Sequence, residues 1–222
     1  LQNLASIAFF RGDADRAEER LERSEAVFRD LGDYGGVNWC LGILAWVRFQ
    51  QGRLDEAETL ARDQLPETEA TGNRWVAAIL TMLLANLSLW RGQSQAAVTY
   101  SRDTLARFDA IGDPWGQTQA RASLVRSLAC LGRIDDALDQ LDRFDQLTGG
   151  NRDGVINTLL RAQVLIHLGA PEALPAALHV NADEGTGGEL VGNIHLALAL
   201  ALLQAGRADE ALPELDRVQG MV

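Results

Sequence analysis

Glycine recurs along this chain on a fixed beat. Gly12, Gly52, Gly92, Gly132, Gly169 and Gly206 are separated by 40, 40, 40, 37 and 37 residues, and Gly32, Gly72 and Gly112 each fall 20 residues after one of the first three. A period in this range marks a chain built from one supersecondary unit used repeatedly, each copy burying its apolar face against the next. The neighbourhood repeats as well, as "RGDADRA", "QGRLDEA", "RGQSQAA", "LGRIDDA", "LGAPEAL" and "AGRADEA". Five residues after the glycine stand Ala17, Ala57, Ala97, Ala137 and Ala211, with Leu174 in the fifth unit and Ala173 one place early. Seven residues before it stand Ala5, Ala45, Ala85, Val125, Ala162 and Ala199. Small side chains at two fixed phases, one on each side of a turn, are what two antiparallel helices need if their backbones are to approach closely.

The unit is therefore expected to be a helical hairpin, and both flanks have the right period. Leu41, Leu44, Ala45 and Arg48/Phe49 precede one turn, and Leu54, Ala57, Leu60 and Ala61 follow it, spaced by threes and fours. Asp15, Asp55, Asp135, Glu172 and Asp209 fall three residues after their glycines, where a negative charge favours the start of a helix. "IGDPWGQ" at 111–117 fits between two units: Gly112 ends a helix in the left-handed region, Asp113 caps the next as Asp33 and Asn73 cap theirs, and Pro114 takes the first helical position. Trp115 shares its phase with Trp75 and is expected to wedge the junction between units. Six hairpins, at about 1–32, 33–72, 73–112, 113–150, 151–186 and 187–222, give about twelve helices in a single array over 1–222. "NADEGTGGEL" at 181–190 is its weakest joint. The chain begins at Leu1 already inside an apolar helical pattern, which suggests a segment of a longer protein.

Composition narrows the function. All 20 basic residues are arginine, so a phosphate-binding Walker lysine, a Schiff-base lysine and a Ser-x-x-Lys nucleophile are excluded. The net charge of −11 argues against direct nucleic-acid contact by this segment. No apolar run approaches the ~18 to 20 residues of a membrane span, and no leader peptide is recognisable, so the expected compartment is the cytoplasm. Cys40 and Cys130 both sit in apolar helical patterns and read as small buried core residues. His167, His179 and His195 are too far apart for a metal pair, and no catalytic motif is present, so neither a metal, a cofactor nor an enzymatic activity is expected.

The small residue, the glycine and the alanine five places later resemble the tetratricopeptide repeat. The resemblance covers the whole chain, although a period of 40 exceeds that family's usual 34. It implies an all-α, right-handed α-solenoid of about six antiparallel hairpins. Leu-Gly-Asp at 31–33, Thr-Gly-Asn at 71–73 and Ile-Gly-Asp at 111–113, followed by stretches such as "GRLDEAETLA" and "GRIDDALDQL", look more like the long-repeat variant. That variant occurs in the sensor regions of MalT-like, LuxR-type and AfsR-like bacterial transcription regulators, and arginine-only usage fits a high-GC genome.

The family's habit of binding partner segments along the first helices of its hairpins implies candidate positions thirteen, ten, six, three and two residues before each turn glycine. These are Trp39, Trp46, Phe49 and Gln50; Ile79, Met82, Asn86, Leu89 and Trp90; Gln119, Arg126 and Cys130; and Ile156, Gln163 and His167. Trp46, Asn86, Trp90, Arg126, Gln163 and His167 are the groove candidates, with Asn86 and Arg126 expected side by side to receive a carboxylate or amide. Each has a plainer reading: Asn86 bonded within its own helix, Arg126 paired with an acid, the tryptophans as packing. Two functions remain open at this level. One is a sensor segment that takes a peptide, a protein or a small effector and biases an attached switch. The other is an adaptor or homo-oligomerisation scaffold.

Overall fold

The computed structural model of the chain describes residues 2–149, 155–170, 173–178 and 188–219. Among the described residues there are twelve helices and no strand, grouped in two compact units, Leu1–Asp113 and Pro114–Val222. In the first unit α1 (Gln2–Phe10) pairs with α2 (Ala14–Asp30), α3 (Tyr34–Gln50) with α4 (Leu54–Ala70), and α5 (Arg74–Trp90) with α6 (Ser94–Ile111). α3 also packs against α2 and α5, and α4 against α5, which joins the hairpins into a stack. In the second unit the hairpins are α7 (Pro114–Cys130) with α8 (Ile134–Leu147), α9 (Val155–Leu168) with α10 (Ala173–Leu178), and α11 (Gly188–Gln204) with α12 (Ala208–Gln219). Of the fifth hairpin's second helix, the described residues are Ala173–Leu178. Of the stretch read as the weakest joint, 181–187 lies outside the described residues, as do Glu172 and His179.

The turns are as the glycine beat requires. Gly52 has φ +74 and Gly112 φ +71, a region open to glycine and strained for other residues. At Gly52 the chain folds back so that its N–H donates to the Phe49 carbonyl (3.0 Å) and that of Arg53 to the Arg48 carbonyl (2.9 Å), satisfying two carbonyls a helix end would leave open. The side chains of Asp33 and Asn73 then accept from the N–H groups of Gly36 (3.0 Å) and Val76 (3.4 Å), and α7 begins on Pro114.

Eleven small residues at the two alanine phases, Ala5 to Ala199 before the turns and Ala17 to Ala211 after them, are each 0% exposed. They line the seams where helix backbones come closest. The seams between hairpins are as tight: a Cβ built on Gly36 would lie 2.5 Å from the Phe28 ring, and one on Gly42 2.7 Å from Val76 Cγ1. Gly36→Ala is therefore expected to destabilise the first unit by ~1–3 kcal/mol from overpacking, despite the ~1 kcal/mol that alanine gains over glycine in a helix. A urea midpoint equal to or above that of the parent chain would contradict this.

Polar groups bridge successive hairpins at recurring phases. Gln51 Nε2 donates to Glu18 (2.9 Å) and Asp15 (3.3 Å), and Arg53 Nη1 to Glu18 (2.8 Å). One repeat on, Arg91 pairs with Glu58 and with Asp55 (2.6 Å). Burial alone would raise the carboxyls of Glu18 and Glu58. The hydrogen bonds and charges of Gln51, Arg53 and Arg48, and of Arg62 and Arg91, outweigh it and hold both below the usual 4.5. A carboxyl depressed in the folded state contributes stability above its unfolded pKa and loses it as pH falls through the lower folded value. The melting temperature should therefore decline as the pH falls from the usual 4.5 through the lower folded values, and Glu18→Gln with Glu58→Gln should flatten that decline. An identical slope in the double variant would rule out these carboxylates as its source.

Candidate functional site

The first-helix positions of the first unit form an aromatic cluster. The rings of Trp46 and Phe49 are 5.7 Å apart at 78°, and those of Phe49 and Trp90 are 6.3 Å apart at 78°, both edge-to-face. The helical period explains the grouping: Trp46 and Phe49 are three residues apart on α3, and Trp90 is the last residue of the neighbouring α5. Their exposures differ sharply. Phe49 is buried, Trp46 is partly buried, and Trp90 is 65% exposed. Trp46 Nε1 donates to the Ile79 carbonyl on α5 at 3.2 Å, so its polar edge is spent on the scaffold and its ring is fixed. Trp90 thus presents a large apolar face to solvent, backed by Phe49 and with the exposed Gln50 on the same repeat phase.

The other first-unit candidates are quieter. Ile79 and Met82 are buried, and Trp39 is partly buried against the cores of two adjoining hairpins. Asn86 is half-buried and its Nδ2 donates to the Met82 carbonyl at 2.9 Å, the local bond of its plainer reading. Asn86 belongs to the first unit, and the half-buried Arg126, on α7, to the second. Trp75, at the junction phase, donates its Nε1 to Asp113 Oδ2 at 3.0 Å and ties α5 to the turn after α6. Its counterpart Trp115 is 45% exposed.

In the second unit the structure corrects one expectation. Cys40 is buried, and burial first, then the charges of Glu25 and Asp33, push its thiol up to about 11, but Cys130 is exposed. Cys130 ends α7 two residues before its turn glycine, at the phase of Gln50 and Trp90, so its position in the repeat outweighs the apolar character that suggested burial. Its Sγ lies 3.4 Å from Nε2 of His167 on α9, and His167 Nδ1 lies 2.8 Å from the Gln163 carbonyl one turn back. The side-chain Oε1 of Gln163 is buried with no hydrogen-bond partner.

Two further pairs were not signalled by the sequence because their members lie on different helices. His195 Nδ1 sits 2.6 Å from Glu214 Oε2, and the buried Asp145 is paired with Arg161 at 3.2 Å. Among the described residues no three His, Cys, Asp or Glu side chains are grouped to hold a metal ion, and no helix is long and apolar enough to cross a membrane. A depression of about 340 Å³ between α3 and α4 is lined by Arg48, Asp55, Glu56, Thr59, Leu60 and Asp63, and two of its acids are already paired, Asp55 with Arg91 and Glu56 with Arg53. The first unit therefore offers chemistry suited to contact: an exposed aromatic face on a fixed aromatic base.

One tetratricopeptide-repeat profile matches residues 1–65, and a second matches 118–143 and 193–217. No curated protein matches the sequence. Among solved structures, a Rap protein complexed with competence and sporulation factor superposes with a TM-score of 0.79 at 15% identity, over 99% of this chain. This chain spans 62% of that protein's length. The apo form of RapI gives 0.73 at 11% identity, over 99% of this chain and 81% of that one. A thermophilic tetratricopeptide-repeat protein from Thermus thermophilus gives 0.55 at 24% identity, over 83% and 91%. At these identities the likeness is one of fold.

Proposed function

Since the chain is a tetratricopeptide-like helical solenoid, we propose that it is a non-catalytic, cytoplasmic interaction segment that binds an extended peptide or partner segment. The binding face we assign is that of α3 and α5 in the first unit. The observation that carries this is Trp90, whose 65% exposure on a buried and hydrogen-bonded aromatic base is the arrangement of an interface hot spot awaiting a partner. A solved structure of like fold is a complex with competence and sporulation factor, which supports a partner-binding role for this fold. The 40-residue period and its resemblance to bacterial sensor regions support the finer reading, in which binding regulates an attached switch domain of a transcription regulator.

Panning a random peptide library on the immobilised chain tests the proposal. Retained peptides should converge on one sequence pattern carrying an apolar residue to meet Trp90. A failure to converge, together with concentration-dependent self-association in light scattering, would favour the oligomerisation scaffold instead.

A further inference from the structure

We propose that Cys130 is a covalent modification site for low-molecular-weight disulfides, with His167 as the base that takes its thiol proton. This goes beyond peptide binding, uses residues of the second unit only, and does not rest on the reading of the aromatic face. A carbonyl oxygen only accepts, so the 2.8 Å contact between His167 Nδ1 and the Gln163 carbonyl places the proton of the neutral ring on Nδ1. The lone pair is then on Nε2, which faces Cys130 Sγ at 3.4 Å and accepts its S–H. The ring is therefore anchored on one nitrogen and presents a base to the thiol with the other. Once protonated, the ring donates to the Cys130 sulfur and to the Gln163 carbonyl, and these bonds, the first above all, outweigh burial and raise the basicity of His167.

Access and chemistry coincide at this pair. Cys130 is exposed at the last residue of α7, and His167 is exposed in the last turn of α9. Cys40 supplies an internal contrast: it is 0% exposed and its thiol is pushed away from ionisation. A soft-metal site would need a third ligand, and no such group occurs among the described residues. In the exchange, Sγ attacks one sulfur of the disulfide while its proton passes to His167 Nε2. A Cys130 Sγ–S bond forms and the original S–S bond breaks. The departing thiolate recovers the proton from the imidazolium, so Cys130 is oxidised, half of the reagent is reduced and His167 is returned neutral.

The test uses dithiodipyridine on the folded chain, with release of the coloured thiopyridone followed in time and the labelled cysteine located by peptide mass spectrometry. We expect one fast-reacting thiol, Cys130, that is lost in Cys130→Ser, with Cys40 labelled only after denaturation. His167→Ala should slow the fast phase by about fivefold, with restoration by added imidazole, which a purely structural role of His167 would not allow. Equal rates for Cys40 and Cys130 in the folded chain would overturn the proposal. So would an unchanged rate in His167→Ala, or a slowed rate that imidazole does not restore.

Discussion

Phe108→Ala should lower the stability of the first unit by ~3–5 kcal/mol, the range for emptying a buried aromatic site. Phe108 is fully buried near the end of α6, and its backbone carbonyl accepts the Gly112 N–H at 2.9 Å, so it stands where one hairpin ends and the turn to the next begins. Its phase mates are Phe28, which fills the seam against Gly36, and Thr68, which bonds the Leu65 carbonyl at 2.8 Å. Phe108 is 0% exposed and among the largest fully buried side chains, so a close-packed interior recovers little of the space its ring leaves. Stability in a stacked array is a sum of unit and nearest-neighbour terms, so the loss should lower the unfolding midpoint of the α3–α4 hairpin of the same unit too. Urea unfolding followed by circular dichroism measures it. A loss under ~1 kcal/mol would mean that the site repacks and that Phe108 does not anchor the first unit.

Trp90→Ala should behave in the opposite way. A side chain 65% exposed contributes little to folding beyond its edge-to-face contact with Phe49, so the stability should fall by no more than ~1 kcal/mol. A peptide recovered by panning should nonetheless bind about 30-fold more weakly, equivalent to the ~2 kcal/mol of an interface hot spot. Trp46→Ala provides the contrast. It removes the indole bond to the Ile79 carbonyl and the edge-to-face contact with Phe49, so it should weaken both binding and folding. Fluorescence anisotropy of the labelled peptide, read beside melting curves, separates the two effects. Unchanged affinity in Trp90→Ala, or an affinity loss matched by a loss of fold, would remove Trp90 from the interface.

Much of this fold was legible because glycine and alanine do one physical job each at fixed phases. Gly52 and Gly112 adopt positive φ, and Ala57 and Ala85 are fully buried, as the repeat alone demands. The surface was less legible, since exposure depends on which neighbour covers a position. Cys130 has the residue type of a core position, but the last turn of the first helix leaves Gln50, Trp90 and Cys130 alike in solvent. Trp75 and Trp115 share a phase, yet Trp75 bonds across to Asp113 while Trp115 is half exposed. The His167 contact was invisible in sequence for a different reason: it joins α7 to α9, 37 residues apart, and no local pattern encodes which side chains meet there.

A partner segment that docks on the aromatic face of α3 and α5 must come up against Trp90. The five tryptophans allow it to be read directly, because each contributes one indole N–H signal to a proton–nitrogen NMR spectrum. Titration of the uniformly labelled chain with a panned peptide should move the Trp90 signal most and broaden or shift that of Trp46 less. Trp75, held by Asp113, and Trp115, in the second unit, should stay in place. A saturable titration in which Trp115 moves and Trp90 does not would place the partner elsewhere and rule out docking on α3 and α5.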